Sequence, residues 1–217
     1  MALKKNTNSN NISFLTVVKG RLARRVPEGT DGAESRELEN GPNKGSIIFE
    51  EFFSEVSGYL IGKGLVETPY GDMIEISLKD PEEDESYQIR IPWDSRIRDQ
   101  FVRRIPEIDV EKPIEIVCFP DKKDQAPVLL VKQGGEILKN HFTRESPGDC
   151  PPAEKKIDKK GKETWSFEER DAFLWKLTEE FFEKFEGEEK PKYQESANED
   201  EENGAIENNN SKSQVPF

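Results

Sequence analysis

The chain has 217 residues, of which 35% are charged, and its formal net charge is −13. No apolar stretch approaches the roughly 20 residues that span a bilayer, so the sequence predicts no membrane association. The lysines near the N-terminus are not followed by an apolar segment, and we therefore expect no secretion signal. With two cysteines, Cys118 and Cys150, the composition favours a reduced, cytoplasmic protein.

The negative charge is concentrated towards the C-terminus. Residues 165–217 carry 15 acidic and 6 basic side chains, whereas residues 1–164 carry 30 acidic and 26 basic ones. Residues 1–27 contain six basic residues and no acidic residue. Such a strip is typical of proteins that contact a phosphate backbone, and a solvated basic strand explains it equally well.

The first quarter of the chain predicts strands separated by a long loop. Residues 1–11 are polar and rich in asparagine, and we expect them to be disordered. Residues 12–26 are rich in β-forming residues and predict one strand that ends before Pro27. The glycines and charges of residues 27–45 predict a loop. Apolar residues return at 47–53, which predict a strand or a short helix.

The clearest pattern lies between residues 57 and 133. Alternating apolar residues and one helical repeat predict strands at 57–67, 73–79 and 86–93, a helix at 96–105 that Pro106 ends, and strands at 113–119 and 127–133. Glycines at 58, 62 and 64 predict a bulge or bend in the first of these strands. The order matches the OB-fold, a five-stranded, partly open barrel that binds oligonucleotides across its second and third strands.

The C-terminal third predicts an edge strand, a linker and a helix. Residues 136–143 favour an edge strand, and residues 145–164 read as a linker. Ser166 and Glu169 have the spacing of a capping box and predict a helix over 167–185. The broad apolar face of this helix predicts either docking on the barrel or a homodimer contact. The predicted fold is therefore mainly β: an OB-fold barrel with an added N-terminal strand, one intra-barrel helix and a C-terminal helix.

Residues 186–217 predict a disordered acidic tail after a folded domain at 12–185. This segment has nine acidic residues against three lysines and few apolar side chains, so it cannot bury enough area to offset the entropy of ordering. The tail finishes with Val215, Pro216 and Phe217. A terminal ring beside the α-carboxylate suits capture by a small pocket with a basic rim, so we expect these residues to bind a partner.

The acidic run at 199–202 and the final Val-Pro-Phe resemble the tails of bacterial and phage single-stranded DNA-binding proteins. The barrel section is similar to small phage-encoded members of that family at Gly58–Gly62, Tyr70-Gly71, Ile105-Pro106, Val131–Gly135 and the helix near Trp165. The resemblance implies sequence-independent binding of single-stranded DNA in replication, recombination and repair, in the cytoplasm of the host cell. It also implies recruitment of replication and recombination proteins through the tail.

A binder of single strands needs cations that follow the phosphates and flat rings that accept unstacked bases. The candidate cations are Lys19, Arg21, Arg24, Arg25, Lys63, Lys79, Arg90 and Lys132. The candidate rings are Tyr59, Tyr70, Tyr87 and Trp93. Tyr87 and Trp93 share a strand face with apolar residues, which favours a core position. Arg90 has two alternatives, a phosphate or a pair with Glu75 across the sheet.

Other classes of function have less support in the sequence. There is no phosphate-binding loop, nucleophile elbow or zinc-protease motif, so we expect no catalytic residue and no cofactor. Cys118, Cys150 and His141 have no recognisable metal-ligand spacing, and we expect no metal site. Two alternatives stay open: a barrel that binds another protein and no nucleic acid, and an OB-fold protein that prefers RNA.

Overall fold

The computed structural model describes residues 12–39, 43–69, 71–80, 85–157, 161 and 163–185. Over these residues the chain is mainly β, as the sequence predicts, with two α-helices and one short 3₁₀ turn. The predicted disordered segments at 1–11 and 186–217 lie outside the described residues.

The strands and helices have the following bounds. The N-terminal strands are β1 (Ile12–Val18), β2 (Arg21–Val26), β3 (Glu34–Glu37) and β4 (Ile47–Phe53). The central elements are β5 (Glu55–Thr68), β6 (Gly71–Lys79), β7 (Ser86–Pro92), α1 (Arg96–Val102) and the 3₁₀ turn (Ile105–Glu107). The remaining elements are β8 (Ile114–Pro120), β9 (Pro127–Gln133), β10 (Glu136–Ile137), β11 (Glu154–Ile157), β12 (Glu163–Ser166) and α2 (Glu168–Glu183).

Ten strands form one sheet in the order β10-β9-β8-β5-β6-β7-β1-β2-β4-β3, and β11 pairs with β12 in a separate hairpin. All neighbours are antiparallel except β1 and β7, which are parallel. The long strand β5 pairs with β8 near its start and with β6 along the rest of its length. Among the described residues the sheet ends at β10 and β3, so strand pairing does not close it into a ring.

The two faces of the central strands differ in composition. Side chains alternate between faces along a strand, and the inner face carries Ile74, Ile76 and Leu78 of β6 with Ile89 and Ile91 of β7, all fully buried. These side chains join Phe101 of α1 and Leu174, Phe181 and Phe182 of α2 in one core. The apolar face of α2 therefore docks on the sheet, which is one of the two alternatives that the sequence predicts.

The predicted bend in β5 is confirmed. The register against β6 shifts between Leu60 and Gly62, which leaves Ile61 as an extra residue. Gly62 and Gly64 also allow α2 to approach, because a Cβ at Gly62 would lie 2.9 Å from the Cβ of Phe185. Because glycine has no side chain, the end of α2 and the bent strand can pack closely together at these two positions.

The single strand predicted over residues 12–26 is wrong. The chain reverses at Lys19 and Gly20, which have φ angles of 49° and 77°, and β1 pairs with β2 as a hairpin. A two-residue turn with positive φ at both positions matches the right-handed twist of its strands. Lys-Gly is a weaker turn signal than Asn-Gly, and the surrounding β-formers conceal it.

Four other boundaries differ from the prediction. The predicted loop at 27–45 contains β3, and the predicted linker at 145–164 contains β11 and the start of β12. The edge strand predicted over 136–143 is limited to two residues of β10, and α1 ends before the predicted residue 105. Ser95 does cap α1, since its hydroxyl accepts a hydrogen bond from the amide of Arg98.

The prediction of a capping box at Ser166 is wrong. Ser166 ends β12, where it pairs with Glu154, and α2 begins two residues later after Phe167. No side chain caps the start of this helix. The backbone of Ser166 is held in a strand pair, so this residue cannot take the helix-cap position that its spacing to Glu169 suggests.

Candidate nucleic-acid interface

The outer face of β5, β6, β7 and β1 brings together several of the predicted site residues. In the strand register, Glu75 of β6 lies opposite Arg90 of β7, and Arg90 lies opposite Thr16 of β1. Tyr59 of β5 lies opposite Lys79 of β6 in the same way. Because residues directly opposite each other share a face, these side chains form a continuous surface on the side away from the core.

Two rings are exposed on this surface. Phe14 is 44% exposed, and the guanidinium carbon of Arg90 lies 5.7 Å from the centre of its ring. Tyr59 is 40% exposed. We call the set of Phe14, Tyr59, Lys63, Lys79 and Arg90 the ring-and-cation face. Lys63 lies opposite Ile76 in the register, but it has a φ of 102° beside the bulge, and it belongs to this set because its Nζ lies 3.4 Å from the carboxylate of Glu75. The face holds the two types of group that single-strand binding needs, a flat ring and a nearby cation.

Glu75 lies under the cations of this face. It is 3% exposed, and its carboxylate accepts a hydrogen bond from Nε of Arg90 at 2.8 Å. Its other oxygen lies 3.4 Å from Nζ of Lys63. One buried carboxylate therefore contacts two candidate cations. The cross-strand pair of Arg90 and Glu75, one of the two alternatives in the sequence, is present.

The cations of β2 are also paired with acidic residues. Arg21 donates two hydrogen bonds to Glu34, at 2.9 and 3.1 Å, and its guanidinium stacks 3.8 Å from the ring of Phe52. Hydrogen bonding between the two side chains raises the pKa of Arg21 and lowers the pKa of Glu34. Arg24 donates to Glu51 from Nη2 at 2.8 Å and to Ser13 at 3.2 Å.

The remaining candidates lie at different places on the molecule. Lys19 is exposed in the β1–β2 turn, and Arg25 faces Glu50 across the β2–β4 pair. Lys132 lies 3.4 Å from Glu115 on the outer face of β8 and β9. The residue Tyr70 and the tail residues Val215, Pro216 and Phe217 lie outside the described residues, so the roles proposed for them stay predictions.

Trp93 and Tyr87 face the core side, as their pattern favours. The ring of Trp93 packs edge-on against Trp175 of α2 at 4.8 Å, and Arg98 stacks 4.5 Å from it. The hydroxyl of Tyr87 donates to Glu85 at 2.9 Å. Trp93 therefore helps to hold α2, and its ring is not part of the ring-and-cation face.

Sequence reasoning missed Phe14 and a cleft on the inner side of the sheet. Phe14 lies in an apolar segment, so the sequence does not indicate which face of the sheet it occupies. The register with β7 places it on the outer face beside Arg90. The cleft has a volume of about 360 Å³, and it is lined by Leu15, Arg24, Phe53, Glu55, Val56, Ser57, Asp80, Glu85 and Tyr87. The mixture of acidic and apolar residues comes from five strands and a loop, which the chain order does not reveal.

The residues that the structure describes contain no candidate metal site and no candidate membrane-spanning helix. No group of three or more histidine, cysteine or acidic side chains there could hold a metal ion. No helix in the described part of the chain is long and apolar enough to cross a membrane. Cys118 is buried, and desolvation raises the pKa of its thiol to about 12, so it has little thiolate character.

The comparisons with known proteins give no match. No family model, no curated protein and no solved structure is significantly similar to this chain.

Proposed function

We propose that this protein binds single-stranded DNA without sequence preference, across the ring-and-cation face. The observation that carries the proposal is the exposed ring of Phe14 beside Arg90 on adjacent strands. A base stacks on a ring of this kind whatever its identity, and the guanidinium contacts the adjoining phosphate. Such binding serves DNA replication, recombination and repair.

The strand arrangement supports an OB-type barrel as the framework of this site. From β5 to β9 the elements run strand, strand, strand, helix, strand, strand, and the first strand pairs with both the second and the fourth. In an OB-fold the second and third strands carry the oligonucleotide. Here these strands are β6 and β7, which supply Lys79 and Arg90.

Arg90 is suited to bind a phosphate while it stays in place. It uses Nε for Glu75, and its two Nη nitrogens have no hydrogen-bond partner among the described residues. The guanidinium fork matches phosphate oxygens through paired donors. Because 29% of its side chain is exposed, a backbone phosphate can reach those donors from solvent.

A protein-binding barrel is the second candidate, and the ion pairs favour it. Arg21 and Arg24 each have an acidic partner, and the net charge of −13 repels nucleic acid at long range. This candidate predicts no measurable affinity for single strands at low salt.

The experiment is a titration of the full chain with fluorescent oligo-dT, oligo-rU and duplex DNA of equal length across a salt series. We expect the oligo-dT to bind more tightly than the duplex, with affinity that falls as salt rises by about 0.7 log units per phosphate contact for each log unit of salt. Equal affinity for oligo-rU would assign an RNA-tolerant protein. Absence of binding to every oligonucleotide would favour the protein-binding barrel.

Replacing the exposed ring tests the location of the site. We expect Phe14→Ala to weaken oligo-dT binding by about fivefold or more, because stacking on an aromatic side chain contributes about 1–3 kcal/mol per base. The matched control is Trp165→Ala, which removes a ring that is 47% exposed in the separate β11–β12 hairpin. Equal losses in the two variants would contradict the assignment of the site to β1.

A further inference from the structure

We propose that Glu75 attenuates the affinity of the ring-and-cation face for the phosphate backbone. This inference deepens the proposed function and rests on it. It assigns to Glu75 the regulation of binding strength: the buried carboxylate cancels one of the two positive charges that Lys63 and Arg90 present to a phosphate.

Glu75 lies at the centre of the face. Its strand neighbours across the sheet are Gly64 of β5 and Arg90 of β7. Lys63 and Arg90 both reach the same carboxylate, at 3.4 and 2.8 Å. The exposed fractions of their side chains are 37% and 29%, against 4% for the side chain of Glu75.

This difference in exposure indicates that the contacts of Glu75 persist during binding. The two cations are reached by solvent and by a phosphate, whereas the carboxylate is enclosed beneath them. A buried carboxylate that loses its partners is costly, so Glu75 keeps its contacts when a strand arrives. A phosphate therefore meets one unit of positive charge less on this cluster than it would without the carboxylate of Glu75.

Removing the negative charge while keeping the shape separates attenuation from positioning. In Glu75→Gln the amide oxygen still accepts a hydrogen bond from Nε of Arg90, so the guanidinium keeps its orientation. We expect oligo-dT binding to tighten by at least about threefold, the effect of one unit charge about 6 Å from a phosphate at the dielectric constant of water, and by up to about a hundredfold at the lower effective constant near a protein surface. The dependence of affinity on salt becomes steeper in the same variant.

Glu50→Gln is the matched control. Glu50 is also 3% exposed and also bonded to an arginine, with Nε of Arg36 at 2.9 Å, but it lies on β4 outside the ring-and-cation face. Both variants lower the net negative charge of the protein by one. We expect Glu50→Gln to leave oligo-dT affinity unchanged, because its effect is limited to the general charge of the molecule.

Lys63→Gln alone keeps the test informative if Glu75→Gln is poorly folded, because it removes a positive charge and leaves Glu75 in place; we expect it to weaken binding and to flatten the salt dependence. Where Glu75→Gln folds, combining it with Lys63→Gln restores the net charge of the cluster, and we expect the affinity to return close to that of the wild type. Circular dichroism and thermal unfolding of each variant report the folded fraction.

The outcomes distinguish the inference from the proposed function. Tighter binding by Glu75→Gln, with Glu50→Gln unchanged, supports the attenuator. Wild-type binding with Glu75→Gln equal or weaker overturns the attenuator and leaves the proposed function in place. Equal tightening in both variants also overturns it, since bulk charge then explains the effect. Absence of oligo-dT binding in the wild type and in every variant overturns the proposed function and the inference with it.

Discussion

At the scale of single residues, Gly20 has the most demanding position in the described fold. It lies in the β1–β2 turn with a φ of 77°, a region that residues with a Cβ rarely adopt. A Cβ added there would lie 2.5 Å from the backbone nitrogen of Pro120 and 2.7 Å from the carbonyl carbon of Phe119. The turn therefore packs directly against the end of β8. This contact brings the β1–β2 hairpin next to β8, although β5, β6 and β7 lie between them in the sheet order.

Gly20→Ala tests this contact. We expect it to lower the free energy of unfolding by more than about 2 kcal/mol, because the left-handed backbone costs about 1–2 kcal/mol and the backbone of β8 must also move. Urea unfolding followed by tryptophan fluorescence measures the loss. Gly29→Ala is the control, since Gly29 has a φ of 84° with nothing within 4 Å of an added Cβ. A loss no larger than that of the control would show that the turn does not press on β8.

Individual site residues are predictable from sequence only in part. The alternation in β7 already indicates that Arg90 faces away from Ile89 and Ile91, and pairing with Glu75 follows as one alternative. The outward position of Phe14 depends on the parallel register of β1 with β7, which no local pattern specifies. The acidic partners of Arg21 and Arg24 lie 13 and 27 residues further along the chain, and no local pattern predicts these ion pairs.

At the scale of elements, an ionic cluster holds α2 against α1. Asp99 of α1 contacts Arg98, Arg103 of the segment after α1, and Arg170 of α2, at 3.1, 3.3 and 3.2 Å. Asp171 of α2 returns a contact to Arg98 at 3.2 Å. Desolvation lowers the pKa of Arg103, which is the cost of placing this charge in the cluster. Asp99 therefore contacts three arginines, one of which, Arg98, also contacts Asp171.

We expect Asp99→Ala to destabilise the protein by about 3–5 kcal/mol, because it removes a carboxylate that contacts three largely buried guanidinium groups. Thermal or urea unfolding measures the change. Lys176→Ala is the matched control, since it removes an exposed i, i+4 pair with Glu180 on α2 and such pairs contribute less than about 0.5 kcal/mol. Similar losses in the two variants would contradict a structural role for the cluster.

The elements from β5 to β9 follow the sequence closely, because each strand has a regular alternation and a clear turn on either side. The prediction is wrong where local chemistry competes with the fold. The β-formers of residues 12–26 continue through the Lys19-Gly20 turn, and Ser166 has the spacing of a helix cap but a strand partner in Glu154. In both places a tertiary pairing decides the outcome, and local propensity does not report it.

At the scale of the whole molecule, the fold is a curled, ten-stranded sheet that encloses one core with two helices. The N-terminal strands are more than an addition to a small barrel: β1 pairs with β7, and β2, β4 and β3 extend the sheet beyond it. Chain order predicts the central strands, but it does not specify which strand lies beside β7. The proposed binding face is thus assembled from two regions of the sequence.

The net charge of the whole molecule also affects the binding that we propose. The net charge of −13 opposes association with nucleic acid at a distance, so the binding that we propose depends on short-range contacts at the ring-and-cation face. In this proposal the exposed rings stack with bases, and salt does not screen stacking in the way that it screens ion pairs. We therefore expect a moderate salt dependence in comparison with a strongly basic protein.

The central claim is that single-stranded DNA lies across the outer face of β5, β6, β7 and β1. Ultraviolet crosslinking of oligo-dT to the full chain, with the adducts mapped by mass spectrometry, tests it most directly. If single-stranded DNA lies across this face, we expect adducts at Phe14 and Tyr59. We expect the adduct at residue 14 to be absent in Phe14→Ala. Adducts confined to the β11–β12 hairpin or to α2, or no adducts at oligo-dT concentrations that saturate other single-strand binders, would contradict the claim.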